Sequence, residues 1–233
     1  ILLVSFTAFG QHTIEDMKDL YAHLDFLKES NDNFYDSAYH IIQNQIELCQ
    51  KEQWAEDDPR LVFIALWHCS MADLFRSYSH ENHYLISQIT PMKEAEKNDF
   101  KSWDKVTFAK QIIKYYQEAL KFSFILQQVP ITDFAIFLHY SYEGIEYRPT
   151  LFDLVSHRFL NFLSDNSLAL YTPKHHFQFN DSIYFSNNDD FINLTITSPD
   201  PLSFQYLSLL TYQQIQQFHL KSGYNKAYVD ISL

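Results

Sequence analysis

Only three glycines occur in the 233 residues. Glycine is the residue that reaches positive φ at no steric cost, so a chain this poor in it is unsuited to a sandwich joined by many tight turns. It is equally unsuited to a glycine-rich loop around a phosphate. Elements that need few sharp reversals are favoured, and the apolar residues recur at the spacing of such an element. Thr13 and Asp16 spell a T-x-x-D start, after which Ile14, Met17, Leu20, Leu24 and Leu27 recur at three and four. A second run, Phe34 to Gln53, puts Ala38, Ile41, Ile42, Ile46 and Cys49 on one side. The stretch "RLVFIALWHCSMADLFRSY" (60–78) is apolar almost all round up to Asp73, which predicts a central helix. Asp58-Pro59 opens it, with Asp58 as cap and Pro59 at the first helical position. "SWDKVTFAKQIIKYYQEALKF" (102–122) predicts a fourth helix of about six turns. A polar loop (90–101) precedes it, and Pro130 starts a fifth segment. Thr150 caps a further helix with Asp153 as its reciprocal partner, and Asp200-Pro201 launches a long one that ends near Gly223.

The expectation is an all-α fold: antiparallel helix pairs in a tetratricopeptide-like array, without a clean repeat of about 34 residues. One long irregular loop, 165–197, interrupts it. That segment is rich in Asn and Asp, alternates weakly and is read as a connection with one short hairpin.

Hydrophobic residues make up 46% of the chain and aromatic residues 17%, enough for a large core filled by rings. The formal net charge of −12, with no basic stripe, argues against nucleic acid or anionic lipid as the main partner. The chain begins "ILLVSFTAFGQ": an apolar run ending in Ala8-Phe9-Gly10 has the small-x-small pattern of a signal-peptidase site. Residues 1–10 are therefore read as part of a signal peptide, with Gln11 as the mature start and export as the destination. The other reading of the run is a buried first strand. No cysteine stands at the cleavage point to receive a lipid anchor, and no later segment reaches the roughly 20 apolar residues of a membrane span.

Chemistry has few candidates. Asp153, His157 and Arg158 lie close together, and Asp153 and His157, four apart, share a helix face. The structural reading is that Asp153 caps the helix and the imidazole pairs with it one turn on. The catalytic reading has less support, because such clusters are commonly ion-pair networks. "SHENHY" (79–84) is not H-E-x-x-H: His80 and His83 are three apart and no third ligand is in view, so a solvated helix end is the better reading. "KHHF" (174–177) is a weak loop pair. Ser37 in "DSA" and Ser182 in "DSI" match a short Asp-Ser/Thr-aliphatic signal for O-glycosylation in exported Bacteroidetes proteins, Ser182 the better candidate because it falls in the polar loop. "NLT" (193–195) is an N-glycosylation sequon. No cofactor is called for.

"YRPTLFDLVSHRFLNFLSD" (147–165) resembles the Y-R-P-T-L-Y-D-F-L-A-H-R-A-L-x-F-F run of the large alpha-2-macroglobulin-family proteins of Bacteroidetes. "PRLVFIALWHCSMADLF" resembles that family's early central helix, and "DFKSWDKVTFAKQIIKYYQEAL", followed by "VPITDF", its D-x-x-x-W-D helix. "LLTYQQIQQFHL" resembles its L-x-x-Y-Q-x-L-x-x-F-H-L helix, so the likeness runs in order over 55–233. It implies that Arg148, Pro149, Thr150, Asp153, His157 and Arg158 form a structural signature rather than a catalytic set. It further implies a non-catalytic N-terminal helical scaffold, residues 11–233 and onward, for an exported protein that traps proteases. Its partners would be the following macroglobulin domains of the same chain and, for the whole assembly, proteases. The family's thioester, Cys to Gln three residues on, is not matched: Cys49 and Gln53 are four apart, and Cys49 reads as a buried small hydrophobe. Cys49 and Cys69 are expected to stay unpaired. An antiparallel pair of helices would offset them by about 9 Å, beyond the roughly 7 Å reach of a disulfide. The rival reading is a free-standing tetratricopeptide-like module that binds protein or glycan at the cell envelope.

Overall fold

The computed structural model describes residues 13–30, 33–90, 99–134, 144–165, 172, 177, 184 and 188–232. The fold is all-α, an array of helices packed against one another: α1 Ile14–Ser30, α2 Phe34–Lys51, α3 Leu61–Glu81, α4 His83–Gln88, α5 Lys105–Leu120, α6 Ser123–Leu126, α7 Leu151–Ser164, α8 Asn188–Asn193, α9 Phe204–Ser222 and α10 Asn225–Ser232. Among the described residues the only β feature is one isolated antiparallel bridge, Pro130 with Thr150.

Helix α3 is central, as its all-round apolar sequence requires: Val62 to Ala72 is buried without a break. Ring contacts fix the directions of its neighbours. Tyr35 and Tyr39, early in α2, meet Tyr78 and Phe75, late in α3. Phe108, early in α5, meets Tyr78, while Tyr115 further on meets His68. Both pairs are therefore antiparallel. Helices α7 and α9 are too, since Phe152 touches Phe218 and Phe162 touches Phe204. One connected hydrophobic core runs from Met17 to Phe218.

The caps explain where the helices start. Thr13 and Asp16 form the expected reciprocal box: Asp16 N–H donates to Thr13 Oγ1 at 3.1 Å and Thr13 N–H to Asp16 Oδ2 at 2.9 Å. The two Asp-Pro pairs act differently from the simple cap expected. Asp58 Oδ1 accepts from the Arg60 N–H at 2.9 Å, and Asp200 Oδ1 from the Leu202 N–H at 3.0 Å. Each aspartate thus drives an Asx turn across its proline, and the helix begins beyond it, at Leu61 and Phe204. Ser203, not Asp200, caps α9. Gly223 closes that helix at φ 73, the left-handed conformation glycine adopts freely.

Two expectations need correction. The fourth helix is shorter than six turns: Asp104 caps it through the Thr107 N–H, it ends at Leu120, and Ser123–Leu126 forms a separate turn. Segment 165–197 is not all loop, because Asn188–Asn193 is a short helix. Two glutamines of α9 account for it: Gln213 donates to the Phe191 and Leu194 carbonyls at 2.7 and 2.8 Å, and Gln217 to the Ile192 carbonyl at 2.9 Å. They satisfy the C-terminal carbonyls that a helix of six residues leaves open. Residues 1–12, with the candidate signal peptide, Lys174–His176 and Ser182 lie outside the described residues. So does most of the stretch read as a hairpin.

Candidate functional site

Helix α7 carries four of the six signature residues or their cap, and its start is fixed twice. Thr150 and Asp153 complete the capping box: Asp153 Oδ2 accepts from the Thr150 N–H at 3.0 Å and from Thr150 Oγ1 at 2.8 Å. The bridge adds two backbone bonds, Ile131 N–H to the Pro149 carbonyl at 2.9 Å and Leu151 N–H to the Val129 carbonyl at 3.0 Å. Arg148 is exposed and Pro149 half-buried.

Beyond the cap, the cluster does not close on itself. Asp153 does not pair with His157; its Oδ1 lies 2.8 Å from Nε2 of His219 on α9, with both side chains fully buried. The i, i+4 spacing puts Asp153 and His157 on one side of α7, but α9 packs over Asp153 and brings its own imidazole nearer. His157 is left half-buried, its pKa lowered to about 4 first by burial and then by the Arg148 charge. The Asp153–His219 contact is close without being an aligned hydrogen bond. Asp153 Oδ1 and both nitrogens of His219 are sealed with no hydrogen bond, as are Ser156 Oγ on α7 and Gln216 Oε1 on α9. Arg158 turns the other way, to Asp73 of α3, with Nη1 2.6 Å from Oδ2.

Asp73 is the hub of this second cluster. Tyr116 of α5 donates its hydroxyl to Oδ1 at 2.5 Å, so both carboxylate oxygens are engaged. Burial, then the neighbouring Asp73 charge, holds the Tyr116 phenol well above its ordinary pKa, which keeps it a donor. Cys69 lies alongside, its Sγ 3.9 Å from Arg158 Nη1, and burial followed by Asp73 pushes its thiol to about 12. One turn before Asp73, Ser70 is hydrogen-bonded to Tyr21 of α1. A pocket of about 190 Å³ opens over the cluster, between α1, α2 and α3. Arg158, Asp73 and Ser70 line it on the polar side and Leu24, Phe34 and Ile42 on the apolar side.

The remaining sequence candidates scatter. His80 and His83 lie on either side of the α3–α4 break, and among the described residues no group of three His, Cys, Asp or Glu could hold a metal ion. Cys49 and Cys69 are both buried, and neither is in a disulfide among the described residues. Burial, then Glu52, raises the Cys49 thiol to about 12, the behaviour of a small core residue. Ser37 lies half-buried in the first turn of α2, and Asn193 is the exposed last residue of α8. No helix among the described residues is long and apolar enough to cross a membrane.

Sequence reasoning did not single out Asp73, Tyr116 or His219. The available signal was weak but present: Asp73 is the first acid in a helix otherwise apolar all round, and such a residue needs a partner when it packs inward. Compared with known proteins, no family model matches the chain, and no curated protein or solved structure matches it significantly.

Proposed function

We propose that the chain is a non-catalytic helical scaffold of an exported protein similar to the macroglobulins, in which protease trapping belongs to the whole assembly. One observation carries this reading. The polar residues of the separate stretches that bear the resemblance meet each other inside the fold: Asp153 with His219, Arg158 with Asp73, and Tyr116 with Asp73. The Asp153–His219 joint is sealed and so closed to a substrate, while the Arg158–Asp73 joint stays partly open. Asp153, Ser156 and His219, the residue types of a hydrolytic triad, have no surface open to solvent beyond 1%.

The test is a panel of serine, cysteine and metalloproteases incubated with residues 11–233 and, in parallel, with the complete gene product. Neither cleavage nor inhibition is expected from the helical piece alone. Stoichiometric inhibition by it would overturn the scaffold reading. A second reading, a free-standing binding module, is favoured by the Arg158 pocket. The gene beyond Leu233 separates the two: a long strand-rich extension supports the scaffold, an early stop codon the module.

A further inference from the structure

We infer that the pocket between α1, α2 and α3 binds a small apolar carboxylate, one ring or a short chain in size, through the guanidinium of Arg158. The inference stands independently of the scaffold reading, since a scaffold and a free-standing module would present the same pocket.

The argument begins with what the polar side of the pocket has left to offer. Asp73 has both oxygens engaged, Oδ1 by Tyr116 and Oδ2 by Arg158. It has little left for a ligand's donor. Arg158 is in the opposite condition. A guanidinium carries five N–H donors, and here only Nη1 is used. Among the described residues its hydrogen bonds run from Nη1 alone, to Asp73 Oδ2 and Cys69 Sγ, and no Arg158 nitrogen is sealed without a partner. With 36% of its side chain exposed, Arg158 lines the pocket as an unfinished donor. The group that completes a planar fork of donors is a planar acceptor, and carboxylate is the best matched.

The walls decide what the carboxylate is attached to. Leu24, Phe34, Ala38, Ile42 and Leu74 surround the space with apolar surface. A volume of about 190 Å³ suits one ring or a short chain, given that an engineered cavity of about 150 Å³ takes up benzene. A strongly hydrated anion such as phosphate would lose its water against those walls with no apolar body to offset the loss. The charged rim does not bias the choice, because Asp25 and Lys28 stand there together. The anion is therefore recognised by Arg158 itself and by the room beside it, not by a general positive field.

The same chemistry is offered by a free acid or by a chain ending in an apolar residue. The experiment uses phenylacetate, with phenylacetamide and phenethyl alcohol as uncharged counterparts and inorganic phosphate as an anion without a ring. A short peptide ending in Phe, with a free or an amidated terminus, completes the set. Calorimetric titration of the purified chain is expected to show saturable binding of phenylacetate and of the free-ended peptide only. Tighter binding of the peptide assigns the source to a chain end, and tighter binding of phenylacetate to a free acid. Arg158→Gln should weaken binding by about tenfold or more, the loss of a charge-assisted hydrogen bond. Asp73→Asn should tighten it, because a competing carboxylate for the same guanidinium is gone. Ser77→Trp, at an exposed rim position, should abolish binding without changing the melting curve. That variant keeps the test decisive even where Arg158→Gln fails to fold. Equal binding of the amide or alcohol, preference for phosphate, or undiminished binding by Ser77→Trp would overturn the inference.

Discussion

Helix α7 makes two polar side-chain joints, and they are built in opposite ways. Toward α9, Asp153 meets His219 with neither side chain exposed; toward α3, Arg158 meets Asp73 with 36% and 32% of the two side chains exposed. The sealed joint leaves Asp153 Oδ1 and both His219 nitrogens without hydrogen bonds, while the open one engages both oxygens of its carboxylate. The difference teaches that the better-satisfied joint is the more dispensable. In a dry interior an abandoned partner has no solvent to turn to, whereas at a pocket wall water replaces what is lost.

The largest effect should come from Asp153→Ala, which removes the reciprocal half of the α7 cap and strands His219. A loss of about 3 kcal/mol or more is expected. Urea denaturation measures it, and a loss below about 1 kcal/mol would break the contrast between the joints.

Acid comes next, through two imidazoles. Burial, reinforced by Arg148 at His157 and by Lys114 and Lys121 at His68, lowers both pKa values from 6.5 to about 4. Well above pH 6.5 folded and unfolded chains are both neutral at these sites and the contribution is fully present; at 6.5 the unfolded imidazoles are already half protonated. As pH falls toward 4 the unfolded chain takes up protons that the folded chain refuses, and stability is lost. Melting midpoints should be flat from pH 8 to 7 and fall between 6.5 and 4. The double variant His68→Gln/His157→Gln should fall less, and an unchanged slope would remove both groups from the account.

Arg158→Ala should cost less than Asp153→Ala, about 1–2 kcal/mol, because its partner faces water and is screened. A loss equal to that of Asp153→Ala would mean that exposure does not set the ranking. Thr150→Ala is the smallest, about 1 kcal/mol for a lost N-cap, since Asp153 still accepts from the residue 150 N–H. An unchanged midpoint would show the box to be redundant with the Pro130–Thr150 bridge.

The parts of this fold that were legible in the sequence are those set within a few residues. Periodicity located the long helices, and the Thr13 and Thr150 boxes gave two of their starts. Errors arose where a local signal has two uses. An Asp-Pro pair reads as a cap, yet Asp58 and Asp200 each reach only two residues on and delay the helix. Phe122 continues the apolar pattern of α5 after the helix has ended. Helix α8 was hidden because its support comes from Gln213 and Gln217 rather than from its own residues. The joints were least legible. The capping role of Asp153 is written three residues from its partner, but Arg158 finds Asp73 across 85 positions, and no spacing rule reaches that far. Which imidazole reaches Asp153 is decided by how α9 lies on α7, a packing outcome.

The two buried cysteines turn the array into its own stopwatch. With thiols held near pKa 12 by burial, neither Cys49 nor Cys69 presents a thiolate while its helix is in place. Each becomes alkylatable only during an opening excursion, so its labelling rate counts those excursions. Cys49 times the departure of α2, and Cys69, in contact with Arg158, times the parting of α3 from α7. Equal rates would mean that the helices come apart as one cooperative body. A faster Cys49 would mean that the array frays from its first pair inward, with the α3–α7 joint the last to let go.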